Sequence, residues 1–139
     1  VEPPGAKPPD LPEKGFLDLR RRLERYFRGE RVSFRDVPVR LPDAPMHRAV
    51  LSEVRRLNYG EVKTYGELAE RVGTHPRVVG RALARNETPV LVPCHRVVGA
   101  RELGGFRWGL RWKRRLLRLE GALKRAASGT GRSYSSGDG

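Results

Sequence analysis

Between Thr64 and Arg85 the chain spells two short helices separated by an abrupt break, and that pair limits the folds open to it. Thr64-Tyr65-Gly66-Glu67 has the form of a capping box. The threonine hydroxyl can take the N–H of the third helical residue while the glutamate reaches back to the threonine N–H. Leu68, Ala69 and Val72 give the helix an apolar face, and Gly73 stops it. Thr74-His75-Pro76 starts the next helix, with proline in the first turn, where its missing N–H costs little. This second helix runs to about Arg85. Val78, Val79, Ala82 and Leu83 form its apolar side, and Arg77, Arg81 and Arg85 recur every fourth residue as a basic stripe. Gly80 and Ala84 lie beside the stripe, small enough to let a partner approach the backbone. Two short helices across a tight turn make a helix-turn-helix candidate.

The flanking chain supplies what such a unit packs against. Residues 1–15 hold five prolines and no periodicity, and read as a flexible lead. Phe16 to Phe27 fits a helix with Leu19, Leu23, Tyr26 and Phe27 on one face. Val32 to Leu41 alternates loosely and is broken by Pro38 and Pro42, an extended connector. From Ala44 onward Met46, Val50, Val54 and Leu57 recur at helical spacing. Pro89 to Pro93 is apolar and β-branched, a short buried extended segment leading into Cys94. After it, Gly99, Gly104 and Gly105 mark a turn and a loop free to wrap a ligand. Leu110 to Leu119 reads as a last helix with Trp112, Leu116 and Leu119 inside, and the end of the chain is Gly/Ser-rich. The expected division is residues 1–43 as lead, helix and connector, 44–124 as the working domain, and 125–139 as a disordered tail. The fold class is α+β, mostly helical, a winged-helix-like helix-turn-helix domain.

Charge says what the working domain meets. The chain has 29 Lys+Arg against 16 Asp+Glu, a net charge of +13 at pH 7. Such a balance attracts polyanions, and arginine rather than lysine dominates, which suits phosphate and base contacts. Nucleic acid is the expected partner. One cysteine rules out an internal disulfide and points to a reducing, intracellular setting. No apolar run approaches the ~20 residues of a membrane span, so a cytoplasmic location with access to DNA is expected.

That single cysteine stands in Pro93-Cys94-His95-Arg96-Val97. Lone cysteines are often inert core residues, and reactivity depends on forming the thiolate. A free thiol has a pKa near ~8.5, so a base must help near neutral pH. His95 can serve through a water, because adjacent side chains seldom face each other. Between Arg107 and Arg125 a single acid, Glu120, stands among basic residues. Three dispersed histidines and one cysteine lack metal-ligand spacing. No metal and no other cofactor is expected.

Tyr65-Gly66-Glu67-Leu68-Ala69, Pro76-Arg77-Val78-Val79-Gly80, Asn86, the Pro-Cys-His-Arg-Val box at 93–97, Gly105-Phe106 and the stretch from Lys113 to Glu120 together resemble the O6-alkylguanine-DNA alkyltransferases over about residues 43–122. The segment before it is similar to only the last helix and connector of that family's N-terminal α/β domain. The resemblance implies direct repair of double-stranded DNA by a monomer. The damaged guanine is flipped out and its O6-alkyl group moves to Cys94, once per molecule. It implies catalytic roles for Cys94, His95, Glu120 and Tyr65. DNA contacts fall to Arg77, Gly80, Arg81, Ala84, Arg85 and Arg96, with Arg77 filling the gap left by the flipped base. A lesion pocket is implied from Tyr65, Leu83, Asn86, Val97, Phe106 and Arg107. Phe106 stands where the family has a tyrosine.

Three rivals compete with this reading. A sensor of the same fold would bind the lesion without taking the group, yet such relatives replace the cysteine that this chain keeps. A Cys-His hydrolase would need an oxyanion hole and has no use for the arginine stripe. A transcription factor would leave the Pro-Cys-His-Arg-Val box without a job.

Overall fold

The computed structural model describes residues 13–123. It is mostly helical with one small parallel strand pair, an α+β fold. Residues 1–12 of the expected lead and the expected tail at 125–139 lie outside the described residues.

Helix α1 (Glu13–Phe27) begins inside the stretch expected to be a flexible lead. Leu19 and Tyr26 are buried on it, whereas Phe27, expected on the same face, is half exposed. A non-repetitive connector then leads to α2 (Pro45–Arg55), which buries Val50, Leu51 and Val54 and leaves Met46 outside. A short strand β1 (Lys63–Thr64) runs straight into α3 (Tyr65–Val72). Both halves of the capping box are present, with Glu67 N–H on the Thr64 hydroxyl at 3.0 Å and Thr64 N–H on the Glu67 carboxylate at 2.8 Å. Gly73 ends α3 in the left-handed region at φ 82°, which glycine enters without steric cost. Helix α4 (Pro76–Ala84) follows and buries Val79, Ala82 and Leu83.

Helices α2, α3 and α4 pack around one core that also takes in Val92, Cys94 and Val97. Strand β2 (Val97–Val98) pairs in parallel with β1, Lys63 opposite Val97 and Thr64 opposite Val98. That pairing fixes the Cys94 turn against the start of α3. A second core holds α1, Phe34, Val37, Val90, Leu91 and Leu116 together. Arg55 ties the connector to α2 by donating to the carbonyls of Phe34 and Val37. Among the described residues no helix is long and apolar enough to cross a membrane.

Two further local expectations fail. The Pro89–Pro93 lead-in is not extended. It is a tight turn in which Val92 N–H bonds Thr88 O at 3.0 Å and Val90 sits at φ 73°. Asn86 makes the turn possible by accepting the Thr88 N–H. The last helix, α5 (Leu110–Leu119), is rotated from the expected phase. Trp112 is 47% exposed, and the buried face is Lys113, Leu116 and Leu117, continuing to Glu120 just past the helix end. The i, i+3, i+4, i+7 spacing of that face is helical, but it carries two charges that a hydrophobicity pattern places outside.

Candidate active site

Cys94 opens a single turn of 3₁₀ helix, Cys94–Arg96, at the end of the Val90 turn. It is buried in protein, yet it lines a cavity of about 370 Å³ with Tyr65, Pro76, Gly80, Leu83, Ala84, Gly105, Phe106 and Arg107. That volume is within the ~300–1,000 Å³ range of small-molecule sites. The cavity opens beside α4. Burial pushes the Cys94 thiol pKa up; the Asn86 hydrogen bond and the charges of Lys113 and Arg107 pull it back. Asn86 donates to both the sulfur, at 3.2 Å, and Val92 O, at 3.0 Å.

The two residues after Cys94, His95 and Arg96, enter a buried polar cluster. His95 Nε2 is 2.8 Å from Glu120 Oε2. A neutral ring bonded in this way donates from Nε2 and leaves Nδ1 as a lone pair, and Nδ1 is buried with no protein partner. Desolvation lowers the His95 pKa, against the pull of Glu120. Arg96 grips the same carboxylate through Nε at 2.9 Å and Nη2 at 3.0 Å, and donates to Leu57 O at 2.7 Å. Gly60 N–H adds a bond to Oε1 at 3.0 Å, and the Tyr26 hydroxyl adds one to Oε2. Burial by itself would raise the Glu120 pKa. Hydrogen bonds from His95 and Arg96 more than reverse this and hold the carboxyl well below its usual range.

Lys113 is fully buried with its Nζ on Val97 O at 2.6 Å and Gly105 O at 2.9 Å, over the face of Tyr65. Burial lowers its pKa to about 8, with the nearby Cys94 working in the opposite sense. Tyr65 is held in its neutral form by burial. Its ring closes down on Gly104, where an added Cβ would stand 2.7 Å from the tyrosine hydroxyl and φ is 76°.

Most of the sequence-derived site residues gather here, and three need moving. Arg96 is not a surface contact for DNA: it is buried and committed to Glu120 and Leu57. Val97 does not line the cavity, because the β1 pairing turns it into the α2–α4 core. Asn86 does not line it either and sits behind the sulfur instead. Arg77, Arg81, Ala84 and Arg85 are exposed along α4, and Gly80 faces open space. No described carboxylate pairs with the three arginines of the stripe, in contrast to Arg22, Arg25 and Arg71 elsewhere. Tyr26, Gly60, Gly104 and Lys113 were missed. Counting back from Glu120 in steps of three and four reaches Leu117, Leu116 and Lys113, so that lysine was within reach of the sequence. Tyr26 was not.

Fold and site thus define a helix-turn-helix domain that carries one cavity-lining cysteine next in sequence to a buried imidazole–carboxylate pair. Residues 45–122 match the family described as 6-O-methylguanine DNA methyltransferase, DNA binding domain. A methylated-DNA–protein-cysteine methyltransferase of Methanopyrus kandleri is 58% identical over 123 residues, covering 86% of this chain and 92% of the relative. One of Archaeoglobus fulgidus is 50% identical over 109 residues, 74% of each chain. The crystal structure of Mycobacterium tuberculosis OGT in complex with DNA superposes with a TM-score of 0.71 at 38% identity, covering 76% of this chain and 66% of that one. The chain belongs to the 6-O-methylguanine DNA methyltransferase family.

Proposed function

We propose that this protein repairs DNA directly, moving a methyl or other alkyl group from O6 of guanine in duplex DNA to the Cys94 sulfur. The observation that carries the reading is the setting of that cysteine. Cys94 lines an apolar cavity at the foot of an unpaired arginine stripe, and the residue that follows it, His95, is hydrogen-bonded to Glu120.

The steps follow from residue chemistry. Extracting a base costs a few kcal/mol, and Arg77, exposed in the first turn of α4, fills the stack behind it. In the cavity the purine lies among Tyr65, Leu83 and Phe106. His95 Nδ1 takes the thiol proton through one bridging water, while Glu120 holds the ring tautomer and steadies the charge that forms. The thiolate, a soft nucleophile, attacks the alkyl carbon; a C–S bond forms as the C–O bond breaks. The phenol of Tyr65, kept protonated by burial, donates to the departing guanine. The thioether is a poor leaving group, so each chain acts once. The protein works as a monomer, inside the cell where DNA is found.

Stoichiometry tests this. Mixed with duplex DNA containing O6-methylguanine, the protein should restore guanine up to one equivalent per chain and then stop. Continued turnover would contradict the thioether product. Tight binding without loss of the methyl group would favour a lesion sensor instead.

A further inference from the structure

Tyr26 lies in α1, outside the region that matches the family, and yet it reaches the catalytic carboxylate. Its side chain is wholly buried, and its hydroxyl donates to Glu120 across 94 residues of sequence. Phe27, Phe34 and Tyr59 meet its ring edge-on at centroid distances of 5.2, 5.9 and 5.9 Å. The oxygen it contacts, Oε2, is the one that also meets His95 Nε2. Packing alone would be served by a phenylalanine there. A buried hydroxyl aimed at a carboxylate already held by Arg96 and Gly60 does something packing does not need.

We propose that Tyr26 is a positioning residue for alkyl transfer, holding Glu120 Oε2 and tempering how strongly that carboxylate draws a proton onto His95. This rests on the reading that Cys94 accepts the alkyl group. A hydrogen bond spreads the charge of a carboxylate and weakens its pull on a neighbouring imidazole. Without the Tyr26 hydroxyl, Glu120 favours the imidazolium more strongly, and His95 fills with a proton at a higher pH than before. It then fails as the base toward Cys94 over a wider acid range. The other charged or titratable groups facing this cluster stay in place in both forms. They are Arg96 on the Cys94 turn, Tyr59 after α2 with Arg31 over its ring, and Lys113 on α5.

Single-turnover transfer from O6-methylguanine DNA, followed over a range of pH, tests the role in Tyr26→Phe and in Phe34→Leu. Phe34→Leu loosens the same aromatic cluster without touching Glu120. In Tyr26→Phe the acid limb of the profile should move to higher pH, with a rate about fivefold lower on that limb, as expected for one hydrogen bond, and recovery at alkaline pH. Phe34→Leu should lose thermal stability and keep the wild-type limb. Should Tyr26→Phe fail to fold, fluorotyrosine at position 26 keeps the ring and donates more strongly; the limb should then move to lower pH. An unmoved limb in the folded variants, or an equal shift in Phe34→Leu, overturns the role while leaving transfer to Cys94 intact. A wild-type chain that transfers nothing overturns both.

Discussion

On one side of the Cys94 sulfur stand Tyr65, Leu83, Ala84 and Phe106, with the backbone of Gly80 and Gly105. In a separate buried cluster stand His95, Glu120, Arg96 and Tyr26. The cavity wall is mostly apolar and partly open, and few of its atoms depend on one another. The buried cluster consists of groups that, His95 Nδ1 apart, satisfy each other's charges and hydrogen bonds. A carboxylate in that setting is strongly destabilising when its partners are removed or when it is itself replaced. Chemistry and folding are therefore coupled in the buried cluster and largely separate along the cavity wall.

Glu120→Gln is the severest way to break that contrast. It should slow transfer by about 10²–10⁴ and destabilise the fold by about 3–5 kcal/mol, measured by denaturant unfolding. The pH dependence of stability carries the same signature. The folded Glu120 value lies below the ordinary 4.5, so its contribution is present above that pH and lost as the pH falls toward the folded value. His95 is likewise lowered from 6.5, so stability declines as the pH falls below 6.5, when the unfolded chain takes a proton that the folded ring resists. In the Gln variant the Glu120 share of the decline below 4.5 should disappear, while Asp36, lowered to about 2 by Arg22, keeps its own.

Arg77→Ala tests the front of the molecule. Its transfer from duplex DNA should fall by roughly 10–100-fold, matching the cost of holding a base out of the stack. Stability should stay within about 0.5 kcal/mol of wild type, and reaction with the free alkylated base should be unchanged. A comparable loss with the free base would show that Arg77 acts in the pocket rather than in the stack.

Lys113→Met sharpens the boundary between the two sides, since Lys113 touches both. A protonated Lys113 favours the thiolate of Cys94, and burial brings its pKa to about 8. Transfer near neutral pH should fall about tenfold, as for roughly 1.4 kcal/mol of lost charge interaction. The deficit should shrink as the pH rises past 8, where the wild-type lysine is itself neutral. A deficit that persists above 8 would mean that the two carbonyl bonds matter and the charge does not.

Gly104→Ala should have the smallest effect. The new methyl would crowd Tyr65 at a φ of 76°, costing about 1–2 kcal/mol of stability and slowing transfer a few-fold through a displaced phenol. An unchanged rate would show that the Tyr65 ring position is slack.

How much of this was legible in the sequence follows the same division. The capping box, the Gly73 stop and the proline start placed α3 and α4, because those signals are local to the backbone. The His95–Glu120 pairing was expected from the family resemblance, with the lone acid among basic residues in agreement, and the two side chains meet at 2.8 Å. Arg96 was misplaced for a definite reason: an arginine in a basic chain reads as surface, and only the partner across 24 residues shows it buried. The phase of α5 was misread because Lys113 and Glu120 occupy its inner face where a tryptophan was the more apolar choice. Tyr26 looked like any core aromatic, since nothing near it in sequence reveals a carboxylate at its hydroxyl. Val90 at positive φ was unforeseeable from a β-branched run, and the turn around it answers to Asn86 and Thr88.

The central claim is that one sulfur takes the alkyl group because a buried imidazole–carboxylate pair withdraws its proton. The most direct measurement is the intact mass of the protein after reaction with O6-methylguanine DNA, followed by peptide mapping. A gain of one methyl group per chain, carried on Cys94, is expected. An unchanged mass after full reaction, or a methyl group on any other residue, would contradict it.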